Sequence, residues 1–109
     1  MSQKPDVAMT RDEIDALLGS GDIAFVAYRN AEGRLSAAPF RYAGNRHAIT
    51  LYGAAEAASG QRAIAIVDQY PAYDKIKGAL LRGVLAPEGK AARLQIDHAA
   101  GFDFAKVGQ

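Results

Sequence analysis

The sequence predicts a mainly β protein, a small antiparallel barrel of six strands behind one short helix, and three observations carry this reading. From Asp22 onward, short runs of strand-compatible residues follow one another, separated by turn residues. Glycines fall inside the longest run, at Gly78 and Gly83, where a curling sheet bends or bulges. Helical spacing of apolar residues is seen near the N-terminus, in Ile14, Leu17 and Leu18.

Residues 1–9 read as a loose arm and residues 10–109 as a single domain. Thr10 to Glu13 has the form of a capping box, in which the hydroxyl and the carboxylate each serve a backbone N–H left over at a helix start. The helix stops at Gly19-Ser20-Gly21, and one so short must lie on something, as a lid for a sheet or barrel end. The first strand follows from Asp22 to Arg29, and a turn from Asn30 to Gly33 leads into a hairpin. Its strands are Arg34–Tyr42 and Arg46–Tyr52, joined by a tight turn at Gly44-Asn45. In the second of them Ala48, Thr50 and Tyr52 share one face, and His47, Ile49 and Leu51 the other. Pro39 is the informative residue of the hairpin. A proline is tolerated in a strand only at an edge, a bulge, or a place where backbone is left free for something else.

The small residues from Ala54 to Gln61 form a loop or a single helical turn. Arg62–Val67 is a strand apolar on both faces, so both faces need cover, one from the core and one from a helix or a second subunit. The chain breaks at Pro71, flanked by Tyr70 and Tyr73, which suit a barrel end or a stacking role. Asp74–Ala86, a turn at Pro87-Glu88-Gly89, a last strand Ala92–Asp97 and a closing segment Gly101–Val107 complete the chain.

Composition narrows the function classes. Of the apolar half of this 109-residue chain, 23 residues are alanine, so burial against a partner subunit would help a thin core. Thirteen basic and twelve acidic residues interleave to a net charge of +1, which argues against a nucleic-acid partner or a polybasic membrane face. A small single-strand-binding barrel is disfavoured for the same reason. With no cysteine there are no disulfides and no thiolate metal ligands. The longest apolar run, Ile23 to Tyr28, is far too short to span a bilayer, and the default expectation is a cytoplasmic protein.

The order of a short helix, a strand, GRLSAAPFRY, AITLYG, the apolar AIAIVD and YDKIKGALLRGVL resembles the pyridoxamine 5'-phosphate oxidase-like family of flavin-binding split β-barrels, over roughly Thr10 to Val107. The resemblance implies a homodimer that holds FMN in a groove between two barrels, with a deazaflavin coenzyme or haem as the alternative cofactor. It places the isoalloxazine ring along Ser36, Ala37, Ala38, Pro39, Phe40 and Arg41, and the phosphate at Tyr52-Gly53 and then Ser59, Gly60, Gln61 and Arg62. The chemistry suits this: small side chains let a flat ring approach the backbone, and a guanidinium clamps a phosphate. In this sequence the helix usual between the third and fourth strands is almost absent, the basic residues near its start reduce to Arg62, and Gly78 stands where oxidases carry a glutamine.

The expected function is a flavin-dependent oxidoreductase, with no side chain nominated as catalytic acid or base and no substrate named. The alternative is a non-enzymatic dimer of the same fold, a binding or structural module. His47 and His98 have no metal-ligand partners at suitable spacing and are read as surface or strand-pair residues.

Overall fold

The computed structural model describes residues 7–30, 32–54, 60–69, 76–103 and 106. One helix, α1 (Arg11–Ser20), precedes six strands: β1 (Ile23–Arg29), β2 (Leu35–Gly44), β3 (Ala48–Leu51), β4 (Arg62–Gln69), β5 (Lys77–Glu88) and β6 (Ala91–Asp103). They close into a barrel in the order β1-β2-β3-β6-β5-β4, and all neighbours are antiparallel. Among the described residues no helix is long and apolar enough to cross a membrane.

The capping box of α1 is present. Thr10 Oγ1 accepts from the Glu13 N–H at 3.2 Å, and Glu13 Oε1 accepts from the Thr10 N–H at 2.9 Å. Lys106 Nζ lies 2.7 Å from the same carboxylate. That contact first, and the Thr10 N–H second, hold the Glu13 carboxyl down to about 2. Ile14, Leu17 and Leu18 are buried, so the helix plugs the barrel with the stripe the sequence shows. Burying each such side chain stabilises the fold by roughly 1.5–3 kcal/mol. Tyr42 fastens the plug from β2, donating its hydroxyl to the Leu18 carbonyl at 2.7 Å. Gly21 permits this approach, because a Cβ there would lie 2.6 Å from the Tyr42 oxygen.

Alternation decides the rest of the core. Ala24 and Val26 of β1, Ile49 and Leu51 of β3, Ala63, Ala65 and Val67 of β4, Ala79, Leu81 and Leu85 of β5, and Ala92 and Leu94 of β6 point inward. The other face of β4, Ile64 and Ile66, stays exposed. Of the two faces expected to need cover, the described residues cover one.

Several boundaries differ from the sequence reading; β2 runs on to Gly44 and β4 to Gln69, and three others differ for reasons the structure shows. The last strand runs to Asp103 rather than Asp97; Gly101 sits within it because a Cβ there would meet Met9 Sδ at 2.8 Å and Ile14 Cγ1 at 3.1 Å. β5 continues through Pro87 to Glu88, so the turn moves to Gly89 and Lys90. β3 starts at Ala48, since Asn45 Oδ1 takes the His47 N–H at 2.9 Å and the Asn45 N–H bonds the Ala48 carbonyl at 3.0 Å, folding Arg46 and His47 into the turn. Of the two glycines expected to mark bends, Gly83 lies at the register shift, whereas Gly78 stays in register between Asp68 and Phe102. The end of the N-terminal arm is tied to β6: Ala8 bridges Phe102, and the Met9 N–H bonds the Gly101 carbonyl at 2.9 Å. Ala55–Ser59, Tyr70–Lys75 and most of the closing segment after Asp103 lie outside the described residues.

Candidate functional site

β3 is much shorter than β2, and this leaves a gap. It pairs with β2 only from Tyr42 to Gly44, and the last bond between them runs from the Tyr52 N–H to the Arg41 carbonyl at 2.9 Å. Gly53 then turns the chain away in the left-handed region, at φ 82°. From Leu35 to Phe40, β2 is therefore laddered on one side only, by β1, among the described residues.

Backbone parity says what the open edge offers. The Arg41 carbonyl points to the β3 side, so two-residue periodicity turns the polar groups of Pro39, Ala37 and Leu35 the same way. Pro39 therefore withholds its N–H from the open edge and not from the β1 ladder, one of the placements a strand proline allows. Ala37 presents both a donor and an acceptor there, and its methyl leaves the backbone approachable.

The side chains divide between two faces. Ser36, Ala38 and Phe40 turn toward the barrel and are half-buried, Phe40 packing its ring 6.0 Å from that of Tyr28. Pro39 and Arg41 lie on the outside and are exposed. Pro39 stands opposite Phe25, Phe25 opposite Ile66, and Ile66 opposite Leu80, so one apolar row crosses four strands. Phe25 is 53% and Ile66 42% exposed, too much for a chance scatter of single surface hydrophobics.

At the Leu35 end of the free edge lies a cleft of about 430 Å³ whose lining includes Leu35, Tyr28, Ile64 and three arginines, Arg29, Arg62 and Arg82. Each arginine is held differently. Arg29 Nη1 donates to the Gly33 carbonyl at 2.9 Å, and its backbone N–H and C=O clasp the Gln61 amide, both at 2.7 Å. Arg62 Nη2 reaches both oxygens of Asp97, at 2.8 and 3.1 Å. Arg82 has no partner among the described residues, so its guanidinium is open to an anion.

Of the residues singled out from the sequence, the structure puts Arg62 in this cleft and Pro39 and Arg41 on the outer side of β2. Tyr52, 53% exposed, and Gly53 sit where the edge opens, while Ser59 lies outside the described residues. Arg29 and Arg82 were missed. Arg82 stands opposite Ile64 in the β4–β5 register, a pairing that cannot be read before the register is known. Their only sequence signal was an arginine at an outward position of each strand.

No family model matches this chain, and no curated protein does. Solved structures do. A conserved hypothetical protein from Mycobacterium tuberculosis superposes with a TM-score of 0.77 at 17% identity, covering 100% of this chain and 94% of that one. An FAD-binding protein from Mycobacterium smegmatis gives 0.72 at 14% identity, with coverage of 88% and 95%. A candidate pyridoxamine 5'-phosphate oxidase from Corynebacterium glutamicum gives 0.69 at 11% identity, with coverage of 96% and 98%. The protein has the pyridoxamine 5'-phosphate oxidase-like split-barrel fold, shared with flavin-binding proteins.

Proposed function

We propose that the protein binds a flavin nucleotide, FMN in the first instance, and serves as a flavin-dependent oxidoreductase in the form of a homodimer. The observation that carries this is the unpaired edge of β2, from Leu35 to Phe40, on a strand whose Leu35 end also lines a cleft with three arginines. A flat ring with polar groups along one rim needs backbone donors and acceptors in a row, and Ala37 and the Pro39 carbonyl offer them. The phosphate end needs guanidinium groups, and Arg82 and Arg29 stand ready with Arg62 beside them. A bound flavin supplies the electron-transfer chemistry. The chain's own part is to hold the ring against β2, fix the phosphate and keep water away, and no side chain is assigned a proton transfer. The FAD-binding neighbour supports the flavin class, and three arginines suit a diphosphate as well as a monophosphate.

A second reading is favoured by one contact. Arg62, the cation the family pattern assigns to the phosphate, is paired with Asp97, which fits a dimeric module that holds no flavin. The visible absorption spectrum of the purified protein separates the two, recorded before and after adding FMN or FAD and removing the excess. A flavin spectrum that stays with the protein is expected. A colourless protein that lets both flavins pass at micromolar concentration overturns the first reading and supports the second.

A further inference from the structure

A second cleft, of about 380 Å³, lies where α1, the turn between β2 and β3, and the middle of β6 meet. It exists because the barrel wall is incomplete there as well. β3 pairs with β6 only as far as Ala48 opposite Gln95, with one further bond from the Ile96 N–H to the His47 carbonyl at 2.9 Å. The N-terminal arm takes up the same edge only at Phe102, opposite Ala8. Between these points the edge of β6 has no strand beside it among the described residues. The carbonyl of Gly101 and the N–H of Asp103 both point to the arm. No register shift separates Gly101 from Ala99, so the Ala99 N–H and C=O face the gap.

Two arginines and two histidines gather around this opening. Arg11 comes from the first turn of α1, Arg46 and His47 from the turn between β2 and β3, and His98 from β6. The two nearby carboxylates are already engaged. Asp15 accepts from the Arg46 guanidinium and from its backbone N–H at 3.0 Å, and Asp97 is bound to Arg62. Arg46 thus keeps Nε and Nη2 without partners, and Arg11 and the two imidazoles make no hydrogen bond among the described residues. Buried Ile14 and half-buried Ile96 form an apolar floor.

A site rich in N–H donors, with its carboxylates neutralised and an apolar floor, selects an oxyanion on a small apolar body. We propose that this cleft is a second binding site, separate from the edge of β2, for a small organic phosphate or carboxylate. The headgroup sits among Arg11, Arg46, His98 and the Ala99 N–H, and the body lies on Ile14 and Ile96. The donors named here are not those of the flavin reading, although the two clefts adjoin where Arg62 pairs with Asp97 and Arg82 stands opposite His98.

The test is a titration of the ¹⁵N-labelled full chain with phenyl phosphate, followed by amide shifts, with phenol as the neutral control. Saturable shifts centred on Arg46, His47, His98 and Ala99 are expected, with none from phenol. Arg11→Ala and His98→Ala, both at exposed positions, are each expected to weaken binding at least fivefold while FMN uptake stays as in the parent protein. Shifts that do not saturate, that centre on Arg29 and Arg82 instead, or that both variants leave unchanged would overturn the proposal. A loss of FMN uptake in the same variants would also overturn it, by showing that the two sites are one.

Discussion

At the scale of single residues, Tyr42 makes a buried tie between helix and barrel. Its hydroxyl is placed between α1 and β2 and serves the Leu18 carbonyl near the end of the helix. Burial first, and the charge of Asp22 second, push the phenol up to about 12. Tyr42→Phe keeps the ring and removes the bond, and should cost about 1–2 kcal/mol in urea unfolding at pH 8. The pH dependence follows from linkage. The folded state keeps its proton to a higher pH than the unfolded phenol, which titrates near 10, so the contribution is complete below about pH 10 and is lost as pH rises toward 12. The stability gap between parent and Tyr42→Phe should therefore narrow above pH 10; a constant gap would mean the hydroxyl is not buried as described. Such ties were not legible in the sequence. The capping box was, because its partners stand three positions apart, whereas Tyr42 and Leu18 are 24 apart and meet only once the barrel has closed.

At the scale of elements, the long hairpin of β5 and β6 bends at one place. A Cβ on Gly83 would lie 1.9 Å from the Gln95 carbonyl oxygen and 2.9 Å from the Ile96 Cα, both backbone atoms that cannot swing aside. Gly83→Ala should destabilise by about 2–3 kcal/mol, the range of an overpacked site. Gly19→Ala is the control, since a Cβ there meets nothing within 4 Å and α1 gains up to about 1 kcal/mol from alanine. Equal effects of the two substitutions on the melting temperature would remove the bulge as the reason for Gly83. The strand count and the closed barrel were readable from alternation and punctuation. The choice between Gly78 and Gly83 was not, because a glycine in a strand signals close approach as readily as a bulge, and Gly78 is there for the Phe102 ring, 3.0 Å from its would-be Cβ. The free edge of β2 was legible only through Pro39, which announced an edge without saying how far it ran. Its length depends on where β3 ends, and that depends on the left-handed turn at Gly53.

At the scale of the whole molecule, the exposed row of Phe25, Ile66 and Leu80 asks what covers it. Four adjacent strands at about 4.8 Å spacing, with two or three outward positions each, make a face on the order of 15–20 Å square. That is the central part of what a stable dimer buries on each partner, about 800 Å² with its rim. The chain has little other apolar material to spare, since its barrel interior is lined largely by alanine and leucine with only two valines among the buried strand residues described. The homodimer proposed above uses this face, and two single substitutions probe it from different strands. Phe25→Glu and Ile66→Lys both point outward, so neither disturbs the inward-facing core and the far-ultraviolet spectrum should be unchanged. Each would place an unpaired charge at the centre of the joint, where desolvation costs several kcal/mol. In sedimentation velocity at about 20 μM, the parent protein should run as a dimer and both variants as monomers. Flavin uptake should fall with dimerisation if the groove between two copies holds the ring, and a variant that is monomeric yet keeps its flavin would place the whole site on one barrel. A parent protein that is itself monomeric at this concentration would reject the dimer and leave the apolar row to a different partner.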